Sequence, residues 1–220
     1  LLNRETSSVE DYLAKEEVSR FKSEYVDGWI RAMTGASARH NCIAQNCYHT
    51  LRNALKGNPC KPYIFETKVR IFREGKRRFY YPDVQVVCES NDPLLVYQDL
   101  PILIIEVLSP STRASDLHEK LEAYQSIPSL ECYIVLEQHQ PIASMWRRSK
   151  RTWIKETIQG IDATIDLPFL SCTLAMKDIY EDIAFSDTCV QEPDLEHEFS
   201  QEEIGGAVRT NKNSAPWRII

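Results

Sequence analysis

The segment "PILIIEVLSPSTR" (101–113) constrains the fold more than any other part of the chain. Ile102, Leu103, Ile104, Ile105, Val107 and Leu108 form a short run of branched apolar residues, bounded by Pro101 and by Ser109-Pro110. Such a run reads as a strand buried on both faces. It therefore needs elements to cover it on each side, and 220 residues with 43% hydrophobic content can supply them within one compact domain. Within the run stands one carboxylate, Glu106. On a strand, Ile104, Glu106 and Leu108 share one face while Ile105 and Val107 point to the other. An unpaired carboxylate on that wall would cost several kcal/mol, so Glu106 must meet a cation, a metal or a proton.

The surrounding pattern supplies the covering elements. "TSSVEDYLAKEE" places Ser and Thr caps ahead of an amphipathic helix, and "SEYVDGWIRAM" predicts a hairpin turning at Asp27-Gly28. "SARHNCIAQNCYHTLRNALKG" reads as a helix closed by Gly57. Strands follow around 62–66, 67–73 and 77–81, the last two joined near Glu74-Gly75, and then comes "PDVQVV". After the 101–108 strand, "TRASDLHEKLEAYQSI" predicts a helix ended by Pro128. "ECYIVLE", "IASMWRR" and "TWIKETI" form a closing meander, and "TLAMKDIYEDIA" a last helix or turn. Strands interrupted by helices on both sides indicate an α/β fold with a mixed central β-sheet flanked by helices. Periodicity fades from about Ser186, which sets the expected boundary between a domain at 1–185 and an acidic, mobile tail at 186–220.

The formal charge of −6 argues against a nucleic-acid partner only if charge is spread evenly. It is not: from Asp178 onward there are ten acids and three bases, leaving +1 on residues 1–177. "KPYIFETKVRIFREGKRRFYY" (61–81) carries seven bases with aromatics interleaved, and "RRSKRTWIK" (147–155) carries five. Such clusters can contact phosphates, although basic hairpin tips also serve solubility. The first residues, Leu1-Leu2-Asn3-Arg4-Glu5, have neither the basic start nor the apolar run of a signal peptide, and no apolar stretch approaches roughly 18 residues. A cytoplasmic protein without a membrane partner is expected. The seven cysteines are dispersed with no Cys-x-x-Cys pair, which predicts reduced thiols.

Asp83 opens the strand "YPDVQVV", where Pro82 stiffens the entry. If that strand lies beside 101–108, Asp83 and Glu106 come within a few ångström, the way hard ions such as magnesium are held. His40, Cys42, Cys47 and His49 form the one competing zinc pattern, but on a helix they fall in two pairs on opposite sides. The sequence also lacks a Gly-rich phosphate loop, which argues against a nucleotide cofactor, and any Ser/His/Asp or nucleophilic-cysteine pattern.

"YPDVQVV" followed by "IIEVLSPSTRASDLHEKLEAYQSIPSLECYIVLE" resembles the Uma-type endonucleases of the restriction-endonuclease-like PD-(D/E)xK superfamily. The resemblance runs from about Ser8 to Ile183. Pro82-Asp83 would be its PD and Glu106 its (D/E), while Leu108 occupies the superfamily's lysine position and Lys120 on the next helix takes that role. At about 100° per residue, Lys120 falls at the edge of the Leu117, Leu121, Tyr124 stripe and leans toward the sheet; the alternative is a lysine snorkelling over the core edge. Asp116, one turn earlier, could pair with it. Tyr124 reads as core, with a hydroxyl near the site as the alternative.

The resemblance implies a magnesium-dependent endonuclease hydrolysing DNA phosphodiesters, with manganese as a substitute ion. Asp83, Glu106 and the Val107 carbonyl would hold the ion, and Lys120 would act on the attacking water. Glu24, in "EYVDGWIRAM", joins the catalytic set through the resemblance alone. His40, Arg70, Arg73, Lys76, Arg77 and Arg78 are the residues expected against nucleic acid. A homodimer is compatible with this reading. The alternatives are a nuclease-like domain that binds nucleic acid or a protein without cutting and, more remotely, a glycoside hydrolase using the same two acids.

Overall fold

The computed structural model describes residues 6–185 apart from Glu74. The acidic tail expected at 186–220 lies outside the described residues. Helix α1 (Val9–Val18) opens at Ser8, whose hydroxyl accepts from the Asp11 N–H at 3.0 Å. Strands β1 (Ser23–Val26) and β2 (Trp29–Ala32) form the anticipated hairpin. Its turn places Asp27 at φ 52° and Gly28 at φ 102°, the left-handed pair that the Asp-Gly dipeptide adopts. A Cβ on Gly28 would also approach Thr6 Cβ to 3.0 Å. Helix α2 (Ala38–Ala54) is capped by Ser37, and Gly57 at φ 83° follows its end.

Strands β3 (Lys61–Ile64), β4 (Lys68–Arg73), β5 (Lys76–Tyr80), β6 (Val84–Val87), β7 (Tyr97–Gln98) and β8 (Pro101–Val107) come next. A π-helical turn (Ser115–Glu119) then runs into helix α3 (Lys120–Gln125). The meander β9 (Cys132–Leu136), β10 (Ile142–Ser149) and β11 (Thr152–Gln159) is present as expected. A small hairpin of β12 (Thr164–Leu167) and β13 (Cys172–Ala175) precedes helix α4 (Met176–Ile179).

The strands form two main sheets. One has the order β2-β1-β5-β4-β7 and the other β11-β10-β9-β8-β6-β3. The second sheet is mixed: β6 pairs antiparallel with β8, and β8 pairs parallel with β9 across the helical crossover. The α/β architecture of the sequence reading is therefore observed, with its strands divided between two sheets. Strand β8 sits in the middle and is covered on both sides. Leu103, Ile105 and Val107 pack with Ile43, Ala44 and Cys47 of α2, whereas Ile104 and Leu108 join Ala123, Tyr124 and Tyr133. Each fully buried branched side chain contributes roughly 1.5–3 kcal/mol.

Two expectations need correction. The 112–127 segment is not a uniform α-helix, because the π turn inserts a wider loop of backbone in which the Lys120 N–H bonds to the Ser115 carbonyl. The cysteines are not all free thiols either: Cys60 and Cys88 are joined in a disulfide. They follow directly from the Lys61↔Val87 register of β3 and β6, a pairing made by the sheet across 28 residues of sequence. Cys42, Cys47, Cys132 and Cys172 are free, and Cys189 lies outside the described residues. No helix among the described residues is long and apolar enough to cross a membrane.

Candidate active site

The antiparallel register Val84↔Ile105 puts Asp83, just ahead of β6, beside Glu106 on β8. The two carboxylates are laced together through each other's backbone. The Val107 N–H donates to Asp83 Oδ2 at 2.7 Å, and the Asp83 N–H donates to Glu106 Oε2 at 3.3 Å. Glu106 is 3% exposed, and its other oxygen accepts from Lys120 Nζ at 3.1 Å and from the Tyr124 hydroxyl at 3.0 Å. The carboxylate on the apolar wall has thus found a cation.

Lys120 leans toward the sheet, as its place beside the Leu121–Tyr124 stripe predicts, and goes further in than that edge. It is buried, with its ammonium 3.1 Å from Glu106, 3.2 Å from Glu24 and 3.1 Å from Asp116. The wider π turn changes the phase between Leu117 and the helix that follows, which takes Lys120 inward. Burial would push the ammonium toward neutrality, but the carboxylates of Glu106, Glu24 and Asp116 raise it well above the usual lysine range. It is a permanent cation. Burial also raises Glu106 well above the usual carboxylate range; Lys120 opposes this, and Asp116, Asp83 and Glu24 add to it. Asp116 is raised by burial, against the pull of Lys120 and of the Thr112 hydroxyl. One ammonium faces three carboxylates, and burial favours the neutral form of Glu106 and Asp116.

Glu24 is brought into this cluster from the other sheet. Its second oxygen accepts from Arg31 at 2.8 Å; Arg31 also reaches Glu119 at 2.9 Å, and the Tyr80 hydroxyl donates to Glu119 at 3.0 Å. Burial would raise Glu119, but the Arg31 and Tyr80 bonds hold it below the usual range. Asp116 makes the pairing with Lys120 that its four-residue spacing suggests, while Arg31 and Glu119 join the cluster unannounced by the sequence reading. The signal for Arg31 was present, since an Asp27-Gly28 turn fixes Glu24 opposite Arg31.

The expected nucleic-acid contacts divide. His40 turns inward: it is 7% exposed and its Nε2 lies 3.1 Å from Asp83 Oδ2. Burial would lower its pKa, yet Asp83, with the Val107 carbonyl, raises it. On the β4–β5 hairpin, Arg70 makes a two-point contact with Asp99 at 2.7 Å, and its guanidinium lies 4.2 Å from the Tyr97 ring centroid. Arg78 pairs with Asp27 at 2.7 Å, Arg73 with Glu122 at 2.9 Å and Arg77 with Glu10 at 3.7 Å, while Lys76 is exposed. The hairpin is basic in sequence but largely neutralised in space.

Among the described residues no three His, Cys, Asp or Glu side chains are grouped so as to hold a metal ion by themselves. Asp83, Glu106 and the Val107 carbonyl are nonetheless hard oxygen donors. Two carboxylates completed by water and phosphate is the set magnesium commonly takes. The donor chemistry fits such an ion.

The Uma2 family, described as "Putative restriction endonuclease", matches residues 9–177. Two uncharacterized proteins of Synechocystis are each 31% identical to the chain, one over 180 residues (81% of this chain, 93% of the relative) and one over 166 (73% and 92%). A crystal structure described as a "putative nuclease belonging to DUF820", from Anabaena variabilis, superposes with a TM-score of 0.62 at 18% identity. It covers 78% of this chain and 96% of that one, a likeness of fold.

Proposed function

The chain belongs to the Uma2 family, and from that premise we propose that it is a metal-dependent endonuclease that hydrolyses DNA phosphodiester bonds at the Asp83–Glu106–Lys120 cluster. The observation that carries the reading is the buried Glu106–Lys120 contact, at 3.1 Å, set beside Asp83 at the end of the β6–β8 pair. A buried acid and a buried permanent cation, adjoining a second acid, form the kind of perturbed cluster that active sites assemble.

Asp83, Glu106 and the Val107 carbonyl would hold magnesium, or manganese in its place. When bound, the ion would polarise the scissile phosphate and lower the pKa of a coordinated water. Lys120, held protonated by its carboxylates, is unsuited to abstracting a proton. Its role is to orient the attacking water or to stabilise charge developing on the phosphate. Glu24 fixes the ammonium from the opposite sheet. His40 braces Asp83 rather than reaching phosphate, and Tyr124 holds the remaining lobe of Glu106. Lys76 and the hairpin arginines would meet the phosphate backbone, Arg70 and Arg78 only by exchanging their carboxylate partners for phosphate.

The second reading is a nuclease-like domain that binds nucleic acid or a protein without cutting. The pairing of Arg70 with Asp99 and of Arg78 with Asp27 favours it, because it weakens the field such a hairpin offers to DNA. Incubation with plasmid, single-stranded DNA and RNA at fixed salt, with magnesium, manganese or EDTA, decides between them. Cleavage that needs the metal and stops with EDTA supports the enzyme; a salt-dependent mobility shift without cleavage supports the binding domain.

A further inference from the structure

Asp116 is the buried acid that the proposed chemistry leaves unused. It is 1% exposed, lies 3.1 Å from Lys120 and stands four residues before it, across a turn that is π-helical. Its carboxylate is not stranded there by chance of packing. The turn is anchored on both sides: the Asp116 N–H donates to the Thr112 carbonyl at 2.8 Å, and its carbonyl accepts from the Tyr133 hydroxyl at 3.0 Å. Inserted turns of this kind recur at functional positions, since they cost stability and persist where they aim a side chain.

We propose that Asp116 is the positioning residue of Lys120, using the π turn to draw the ammonium inward and hold it against Glu106. The ammonium is bounded by carboxylates from three elements: Glu106 on β8, Glu24 on β1 and Asp116 in the π turn. Of these, Asp116 alone shares the helical segment of Lys120, so it travels with the lysine and sets where the side chain goes. Glu106 and Glu24 fix the point from the two sheets. With the charge of Asp116 removed, the four-carbon stem regains its freedom to swing toward the outside of α3, where a lysine head prefers water.

The catalytic part of this role rests on the nuclease reading, whereas the placement of the ammonium does not, and the experiment separates them. Full-length chain and its Asp116→Asn variant are compared in two ways. In metal-supported cleavage, the expected result is a 10- to 100-fold fall in kcat with KM unchanged, the split for a group that positions a catalytic side chain without binding substrate. In ¹⁵N-labelled protein without metal, the slowly exchanging Lys120 ammonium signal is expected in wild type and lost to fast exchange in Asp116→Asn. If wild-type protein cuts nothing, the nuclease reading fails and the ammonium signal alone decides: its loss in the variant supports the inference. A signal that survives in Asp116→Asn, or a kcat that stays at the wild-type value, overturns it. Should Asp116→Asn fail to fold, Asp116→Glu, which keeps the charge but lengthens the side chain in the π turn, takes its place; a several-fold fall in kcat or a broadened ammonium signal is then expected, and neither changing refutes the role.

Discussion

Among the described residues two lysines are buried, and their surroundings shift their pKa values in opposite directions. Lys120 is 5% exposed and Lys68 is 4% exposed, and each ammonium lies within 6 Å of a tyrosine ring, Tyr80 at 5.8 Å and Tyr81 at 4.7 Å. Lys120 nevertheless has its pKa raised well above the usual range, while Lys68 has its own lowered by burial. The difference lies in the carboxylates. Three stand within 3.2 Å of Lys120. Lys68 has Glu16 at 3.9 Å, and the two oxygens of that carboxylate already accept from the Tyr81 hydroxyl at 2.6 Å and the Ser23 N–H at 2.9 Å. Lys22, whose charge lowers Lys68 further, sits against the same Tyr81 ring. Burial by itself does not decide the charge of a lysine; the count and closeness of carboxylates do. One lysine is held among the carboxylates of the candidate site, and the other is packed beneath α1 with its pKa lowered.

The comparison predicts its largest contrast in activity. Lys120→Ala should lower metal-supported turnover by about two orders of magnitude or more, the scale for losing a positioned catalytic group, and Lys68→Ala should leave turnover within a few-fold of wild type. Near-normal turnover in Lys120→Ala would hand the chemistry to another cation and end the contrast. The next effect is on stability. Lys120→Met strands the acids around it and should cost about 3–5 kcal/mol in urea melts at pH 7. Lys68→Met leaves Glu16 with its hydrogen bonds from Tyr81 and Ser23 and should cost less than about 1 kcal/mol. Equal losses would show the two regions to be alike.

Glu106→Gln sharpens the point from the acid's side. Glu24 and Asp116 remain to compensate Lys120. The variant should therefore abolish cleavage while its melting temperature in EDTA stays level or rises, because one member of a crowded acid cluster is neutralised. A large drop in that melting temperature would assign Glu106 a purely structural pairing. The pH dependence of the other lysine gives a smaller effect. The pKa of Lys68 is depressed in the folded chain, so its contribution is fully present above about pH 10.5, its unfolded value, and is lost as pH falls through the folded value. The stability gap between wild type and Lys68→Met should shift in favour of wild type as pH rises toward 10.5, with chemical denaturation across that range as the measurement. Smallest of all, Glu119 is held below its ordinary 4.5 in the fold, so its stabilisation is present above pH 4.5 and fades as pH falls through the folded value. Glu119→Gln should flatten that acid limb.

The main elements around the site were legible because they obey local rules. Ser8 and Ser37 cap α1 and α2, Asp27-Gly28 turns the first hairpin, and the branched run at 101–108 is the covered central strand. The alternation of Ile104, Glu106 and Leu108 against Ile105 and Val107 placed the carboxylate on its correct face. The Asp116–Lys120 pairing followed from a four-residue spacing. The lean of Lys120 toward the sheet followed from the same helical spacing, whereas its full burial among three carboxylates and the π turn it sits beside did not. Neither did the disulfide, as Cys60 and Cys88 meet through strand pairing.

The sequence by itself marked the strands and helices around the site, though not β7, β12, β13 or the π turn, and it fixed which face of β8 carries Glu106 and that this acid needs a partner, because backbone stereochemistry and the aversion of charge to apolar surroundings act locally. The tertiary structure decided who the partners are. His40 of α2 reaches Asp83, Glu24 of the five-stranded sheet reaches Lys120, and the arginines of the β4–β5 hairpin are met by Asp99, Asp27 and Glu122. Those contacts join residues tens of positions apart, and their free energy depends on distance and desolvation, quantities that exist only once the sheets and helices have packed.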